Sequence, residues 1–206
     1  MFKTCQDAQR EFESCWRNLN YTPIELDDVD VNKTLLHYVS EKPIHFTQQM
    51  LWDMEKKKAW NPGEYIPYVI RAGSAKAWNK HTDLNNGDEI FVRMSDQKQW
   101  THPDIYETVY EEVYVNESEQ LVTFLGVKIL PGVSTELNPQ QPLFHVQHGV
   151  GGTEDNPINT WRIVHLTKIK GEQLISHFKK MNNTTHLPGF ILSYIEKDLH
   201  IPIRHK

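Results

Sequence analysis

What most restricts this chain is a change of hydrophobic period at Trp60-Asn61-Pro62-Gly63: apolar residues recur at helical spacing before it and alternate after it. Upstream, Cys5, Ala8, Phe12, Cys15, Trp16 and Leu19 fall at three- and four-residue steps, which predicts a helix over about residues 4–19. Phe46, Met50, Leu51 and Met54 repeat that spacing until Pro62 and Gly63 stop it. Between the two lie an acidic, turn-rich stretch, YTPIELDDVDVNK, read as a linker, and a short apolar segment, 34–39, read as a strand.

Downstream, six segments alternate as strands do: 65–71, 88–94, 105–115, 120–130, 143–148 and 160–169. Asn-Asn-Gly, His-Pro-Asp, Asn-Glu-Ser-Glu, Pro-Gly and Gly-Gly turns separate them. These connections are too short for crossover helices, so the strands are expected to be antiparallel neighbours. Two helical pieces close the chain, 171–182 and one starting at Pro188, a favoured first helical position. The second carries Phe190, Ile191, Tyr194, Ile195 and Leu199 on one face. The expected organisation is a helix and linker over 1–33, lying on a single α+β domain over 34–206.

Composition removes several function classes. With 206 residues and a formal net charge of −5, the chain has no basic run longer than Lys56-Lys57-Lys58, a poor basis for binding nucleic acid. That run reads as a solvated helix face. No apolar stretch approaches the roughly 18–20 residues that span a bilayer. The N-terminus lacks an apolar signal core, so the expected compartment is the cytoplasm. The Asn-x-Ser/Thr triplets at Asn20, Asn32, Asn116, Asn182 and Asn183 are then chance matches. Cys5 and Cys15, ten helical residues apart, are too far separated for a disulfide and read as buried thiols.

Strand, helix, six antiparallel strands and a closing helix is the element order of the helix-grip fold, and the chain resembles the START and Bet v 1-like superfamily, which includes polyketide cyclases. Leu187-Pro-Gly-Phe-Ile-Leu-Ser-Tyr-Ile resembles the Leu-Pro start of the last helix in some START domains. Trp52-Asp53 with Trp60-Asn61-Pro62 resembles the short-helix region at their cavity mouth. The resemblance covers about residues 34–200. It implies a curved six- to seven-stranded antiparallel sheet gripping the C-terminal helix, with an added N-terminal helix. An apolar cavity would lie between sheet and helix for a lipid, polyketide or phenolic ligand. A closing helix broken at Asn-Asn-Thr-Thr-His and the extra N-terminal helix depart from the pattern, and both would suit a closed calycin-type barrel.

The residues suggest how such a cavity would be lined. Along 105–115, Tyr106, Tyr110 and Tyr114 share one face and are expected to point inward, their phenol groups orienting a ligand oxygen. The alternative puts that face outside and points Val109, Val113, Leu125, Val127 and Ile129 inward. A loop over 116–120 sets Tyr110 across from Gly126 and Tyr114 across from Val122. Arg93 and Arg162 are candidate carboxylate anchors; Phe124, Trp161, Tyr194 and Trp60 are candidate lining residues. His145 and His165 would face one space if their strands are neighbours. With Tyr110 they would supply acid, base and oxyanion groups to a cyclase, dehydratase or isomerase.

A cupin-like metal enzyme is a second alternative, using His145, His148 and Glu154. Its gap of three residues puts the two histidines on opposite strand faces, so no metal is expected. Nucleotide loops, nucleophile elbows and His-Glu-x-x-His are missing, and no cofactor is called for. Residues 149–155 read as a flexible hairpin suited to a lid. An exposed Phe12 and Trp16 would let the first helix dock a partner or a second copy, the latter giving a homodimer. The expected partner is one small hydrophobic molecule, with neither nucleic acid nor a membrane span.

Overall fold

The computed structural model describes residues 1–169, 171–181 and 185–206. In chain order the elements are α1 (Cys5–Trp16), β1 (Thr22–Glu25), β2 (Val29–Asp30), α2 (Val31–Leu35), β3 (Tyr38–Ser40), α3 (Gln48–Trp60) and α4 (Pro62–Tyr65). The meander follows: β4 (Lys76–Thr82), β5 (Glu89–Lys98), β6 (Tyr106–Asn116), β7 (Leu121–Val127), β8 (Phe144–Thr153) and β9 (Asn156–His165). The chain closes with α5 (Glu172–Met181), α6 (Gly189–Lys197) and β10 (Ile203–His205).

One antiparallel sheet runs β1-β9-β8-β7-β6-β5-β4, with β2 also paired to β9. Consecutive strands of the meander are antiparallel neighbours, as expected. However, β7 ends at Val127, short of the expected 130, and residues 128–143 form a long loop to β8 where a Pro-Gly turn was expected. The architecture is α+β, a large antiparallel sheet with helices on both faces, in the expected helix-grip order. Residues 22–30, read as linker, supply two of its strands instead. Thr22–Glu25 pairs with Glu25 opposite Arg162 and Thr22 opposite His165, so the segment gives its backbone groups ladder partners. The segment 34–39 is also revised: Asp30 caps α2 by accepting the Lys33 N–H at 3.0 Å, and only Tyr38–Ser40 is extended, pairing with β10. Residues 66–71 form no strand beyond a single bridge at Ile70; the first meander strand is β4.

Strand alternation divides the sheet into two unlike faces. On the convex face α1 buries Cys5, Ala8, Phe12 and Cys15 against Ile90, Tyr114, Leu125 and Val164. Thr4 caps this helix by accepting the Asp7 N–H. Cys5 and Cys15 are free and buried, as their spacing required. Phe12 is fully buried, which corrects the exposed docking face expected for it. The loop after β7 covers the rest, its Leu130 and Leu137 meeting Val92 and Tyr110.

On the concave face α3 lies across β7, β8 and β9, and α6 lies against α3 and α4. Phe46, Leu51, Trp52, Met54, Phe91, Val113, Phe124, Phe190 and Ile191 form one buried cluster there. α5 covers the far end, packing Leu174 and Phe178 on Ile24 and Ile163. Residues 149–155 form no lid: β8 runs to Thr153, and the turn is tied down by Gln48 N–H to Glu154 O (3.0 Å) and Asn32 Nδ2 to Asp155 O (2.8 Å). Gly152 closes the turn at φ +80°, where a Cβ would lie 2.1 Å from Asn156 O. Among the described residues, no helix is long and apolar enough to cross a membrane. Asn182 and Asn183 lie outside the described residues.

Candidate functional site

A cavity of about 460 Å³ opens between the concave face, the last turn of α3 and the Leu187–Phe190 segment entering α6. Its walls include Val29, Ile66, Val69, Val146, Leu187 and Phe190, and its mouth carries Asp28, Asp30 and Lys33. At Gly189 the backbone approaches Tyr68 so closely that a Cβ would sit 2.6 Å from the ring. The volume suits a small molecule of mostly apolar character.

The polar groups on its floor come from one helical stripe and four strands. In α3, Leu51, Met54, Glu55 and Lys58 recur at three- and four-residue steps, so two charges ride the buried face. Glu55 is fully buried and Lys58 is 4% exposed. Lys58 Nζ sits 2.6 Å from Glu55 Oε2, an ion pair outside hydrogen-bond geometry, and 2.8 Å from His148 Nδ1. It also lies 3.7 Å from the centroid of the Phe190 ring, a cation–π contact. Asn159 Nδ2 donates to Glu55 Oε1 at 3.0 Å. Beside this group, Arg93 Nε donates to Glu111 Oε2 at 2.7 Å, its Nη1 donates to Ala59 O at 2.9 Å, and its guanidinium covers Phe124 at 4.2 Å. Two buried cations thus face two buried carboxylates, the balance that low-dielectric surroundings demand.

Burial sets the protonation of this floor. It would push the Glu55 carboxyl up, but the Lys58 ammonium and the His148 ring outweigh it and hold the group at about 2. Burial draws Lys58 down to about 8 against the opposing pull of Glu55. His148 falls to about 4, through burial first and the Lys58 charge second. The imidazole is therefore neutral at pH 7. Its Nδ1 accepts from Lys58, which places its own proton on Nε2. The contacts of the ring with Lys58 and Glu55 are both made through Nδ1, and His148 lines the cavity. Phe124, Trp161 and Phe190 surround the ring at centroid distances of 5.8, 5.0 and 5.7 Å.

Of the residues singled out from sequence, Arg93, Phe124 and Trp161 line this cavity, as does His148, which was raised there only as a metal ligand. The others lie elsewhere. Tyr110 and Tyr114 are on the convex face, Tyr110 donating to Thr135 O at 3.2 Å and Tyr114 to Glu112 Oε2 at 2.7 Å. The hairpin register is offset by one residue from the expected one: Tyr110 stands opposite Val127, Tyr114 opposite Thr123, and Glu111 opposite Gly126. The inward face of β6 thus carries Glu111 and Val113, partly the alternative reading, although Leu125 lies on the convex side. Tyr106 sits under the Arg71 guanidinium at 4.5 Å. Tyr194 ties α6 to α3 by donating to Asp53 Oδ2 at 2.8 Å. Trp60 packs edge-on to Phe91 and is 38% exposed. Arg162 clamps α1, lying 5.1 Å from both Phe12 and Trp16 and 2.6 Å from Glu13 Oε1.

His145 and His165 do not share a space. Their strands are neighbours, but His165 pairs with Phe144 and His145 with Val164, so the side chains leave opposite faces. His165 stacks on Phe144 at 4.5 Å with neither ring nitrogen hydrogen-bonded. His145 lies under α1, where its donor atom, Glu11 and Cys15 come within 4.8 Å of one another. Its Nδ1 accepts the Gly126 N–H at 3.1 Å, so the ring proton occupies Nε2 and that nitrogen offers no lone pair to a cation. The trio joins helix to sheet. His145 and His148 also fail to converge on Glu154, for the reason their odd spacing gave.

Lys58, Glu55, Glu111 and Asn159 were not singled out as site residues, and His148 was singled out only as a metal ligand. For Lys58 the solvated-face reading is corrected: Lys56 and Lys57 are half-exposed partners of Glu117, Asp53 and Asp198, whereas Lys58 turns inward. The signal was present in the register of Lys58 with Leu51, Met54 and Glu55.

Solved structures similar to this chain include a major latex-like protein 151 from Panax ginseng (TM-score 0.45, 10% identity, covering 84% of this chain and 94% of that one). Norcoclaurine synthase from Thalictrum flavum is similar at TM-score 0.44 and 8% identity, over 88% of this chain and 89% of that one. A START superfamily protein from Mycobacterium smegmatis is similar at TM-score 0.40 and 11% identity, over 70% and 88%. No protein-family model matches the sequence, and no curated protein matches it. At these TM-scores the likenesses carry no weight for activity or ligand; the sheet order and helix placement carry the fold.

Proposed function

We propose that the protein binds a small, largely apolar molecule in the cavity between the concave sheet face and the C-terminal helices. The observation behind this reading is a hollow of about 460 Å³ with aliphatic and aromatic walls over a buried, charge-balanced floor. A chain packing only for stability would fill such a space, because interiors approach crystal density and each void forfeits contacts. The floor supports a ligand with one oxygen, which would accept from His148 Nε2–H. Balanced charges disfavour a carboxylate there, since an added anion would be buried without a counter-charge.

Fluorescence titration with N-phenyl-1-naphthylamine tests the reading. Saturable binding at one site is expected, weakened at least about tenfold by Val146→Phe, which puts bulk into the cavity wall. Equal binding by both proteins, or none by either, contradicts it.

A second reading, an acid/base enzyme acting on such a ligand, is favoured by the shifted protonation of Lys58 and His148. Its groups would be Lys58 and His148 in place of His145, His165 and Tyr110, because only the former line the cavity.

A further inference from the structure

We propose that Lys58 forms a Schiff base with the carbonyl carbon of an aldehyde or ketone whose apolar body fills the cavity. This rests on the ligand-binding reading and assigns the chemical class of the ligand.

Lys58 lines the cavity from the last turn of α3 while its own surface is almost wholly buried. Lys33, which also lines it, stands exposed at the mouth. Nucleophilic lysines are those desolvated in apolar surroundings, where the free amine is accessible near neutral pH. The Phe190 ring beneath Nζ and the lowered value of about 8 agree with that setting.

The neighbours of Nζ fit each stage. His148 Nδ1, 2.8 Å away and neutral through burial, takes one ammonium proton and frees the nitrogen lone pair. The amine attacks the carbonyl carbon, a C–N bond forms, and the oxygen takes that proton to become the hydroxyl of a carbinolamine. This hydroxyl leaves with a second proton from nitrogen as water, and the nitrogen lone pair closes the C=N bond. Ammonium plus carbonyl gives iminium plus water, with no oxidant or reductant. Reactant and product both carry one positive charge, so Glu55, at 2.6 Å and fully buried, keeps its counter-charge throughout. Losing that charge would strand a buried carboxylate without its counter-charge.

The test uses the full wild-type chain with 2-naphthaldehyde and sodium cyanoborohydride, which reduces an iminium to a stable secondary amine. Peptide mass spectrometry locates the adduct, and displacement of N-phenyl-1-naphthylamine reports cavity occupancy separately. One adduct per chain at Lys58 is expected, at least about tenfold enriched over Lys33, with trapping that rises as pH approaches 8. Displacement of the dye with adducts spread over Lys33 and surface lysines, Lys58 staying unmodified, overturns the Schiff base and leaves ligand binding standing. Failure of the aldehyde to displace bound dye overturns the Schiff base alone; failure of the dye itself to bind removes both.

Discussion

The two faces of the sheet are built from the same strands, yet one is sealed and the other hollow. On the convex side β5, β6 and β7 send Ile90, Tyr114 and Leu125 into α1, where they pack with Cys5, Ala8, Phe12 and Cys15. On the concave side the same strands carry Arg93, Glu111 and Phe124, which border an open space. Polar groups occur on both faces, but in different company. Tyr114, Glu112 and His145 are satisfied locally beneath a helix, whereas Lys58, Glu55, His148 and Asn159 form a connected set at the base of a cavity. A phenol or imidazole therefore says little about function until its strand face is known. What separates site from scaffold here is burial of charge beside a void.

That contrast can be broken most severely at Lys58. Lys58→Met leaves Glu55 buried without its counter-charge and should cost about 3–5 kcal/mol in chemical denaturation. Adding Glu55→Gln should return most of it, because a neutral amide needs no ammonium. Equal destabilisation in single and double variants would mean that the ion pair is not what matters. On the other face, Phe12→Ala removes a fully buried ring from the α1 interface, and about 3 kcal/mol of stability should go with it. Dye binding by the folded fraction should be unchanged, since Phe12 is remote from the cavity walls; weakened binding would show that the faces are coupled.

A smaller effect follows from pH. The folded His148 titrates near 4 against an ordinary value of 6.5, so its contribution is complete above 6.5 and is lost as pH falls toward 4. Glu55, held near 2 against 4.5, adds a further loss that begins as pH drops below 4.5. Stability should therefore fall on acidification from 6.5, and His148→Gln should flatten the curve between 6.5 and 4.5. Burial also lowers His145 and His165, which leaves a residual slope of the same sign. Unfolding curves at several pH values decide this; an unaltered slope in the variant would place the proton linkage elsewhere.

Much of this organisation could be read from the sequence, and the parts that could not share a cause. The α1 stripe, the hairpin turns and the break at Pro62 are local signals, and they predicted their elements well. β4, Lys-Ala-Trp-Asn-Lys-His-Thr, escaped because an edge strand with mostly exposed residues has no apolar alternation to show. The faces of β6 were ambiguous because both alternations mix apolar residues with glutamate, and a one-residue offset in register decides between them. At the site, Arg93, Phe124 and Trp161 could be picked out as large or charged residues on strands. Lys58 was masked by Lys56 and Lys57, which are solvated, and His148 by its neighbour His145 on the opposite face. Charge burial is a tertiary property, and only the helix register of Glu55 and Lys58 hinted at it.

The most direct test of the account places a ligand and watches both faces at once. Side-chain NMR of the full chain, following the Trp161 indole N–H, the His148 ring and the His145 ring while N-phenyl-1-naphthylamine is titrated, provides it. The account predicts saturable shifts at Trp161 and His148 with His145 unmoved. Shifts confined to His145 and the tyrosines under α1, or none at Trp161 and His148 once the dye is bound, would contradict it.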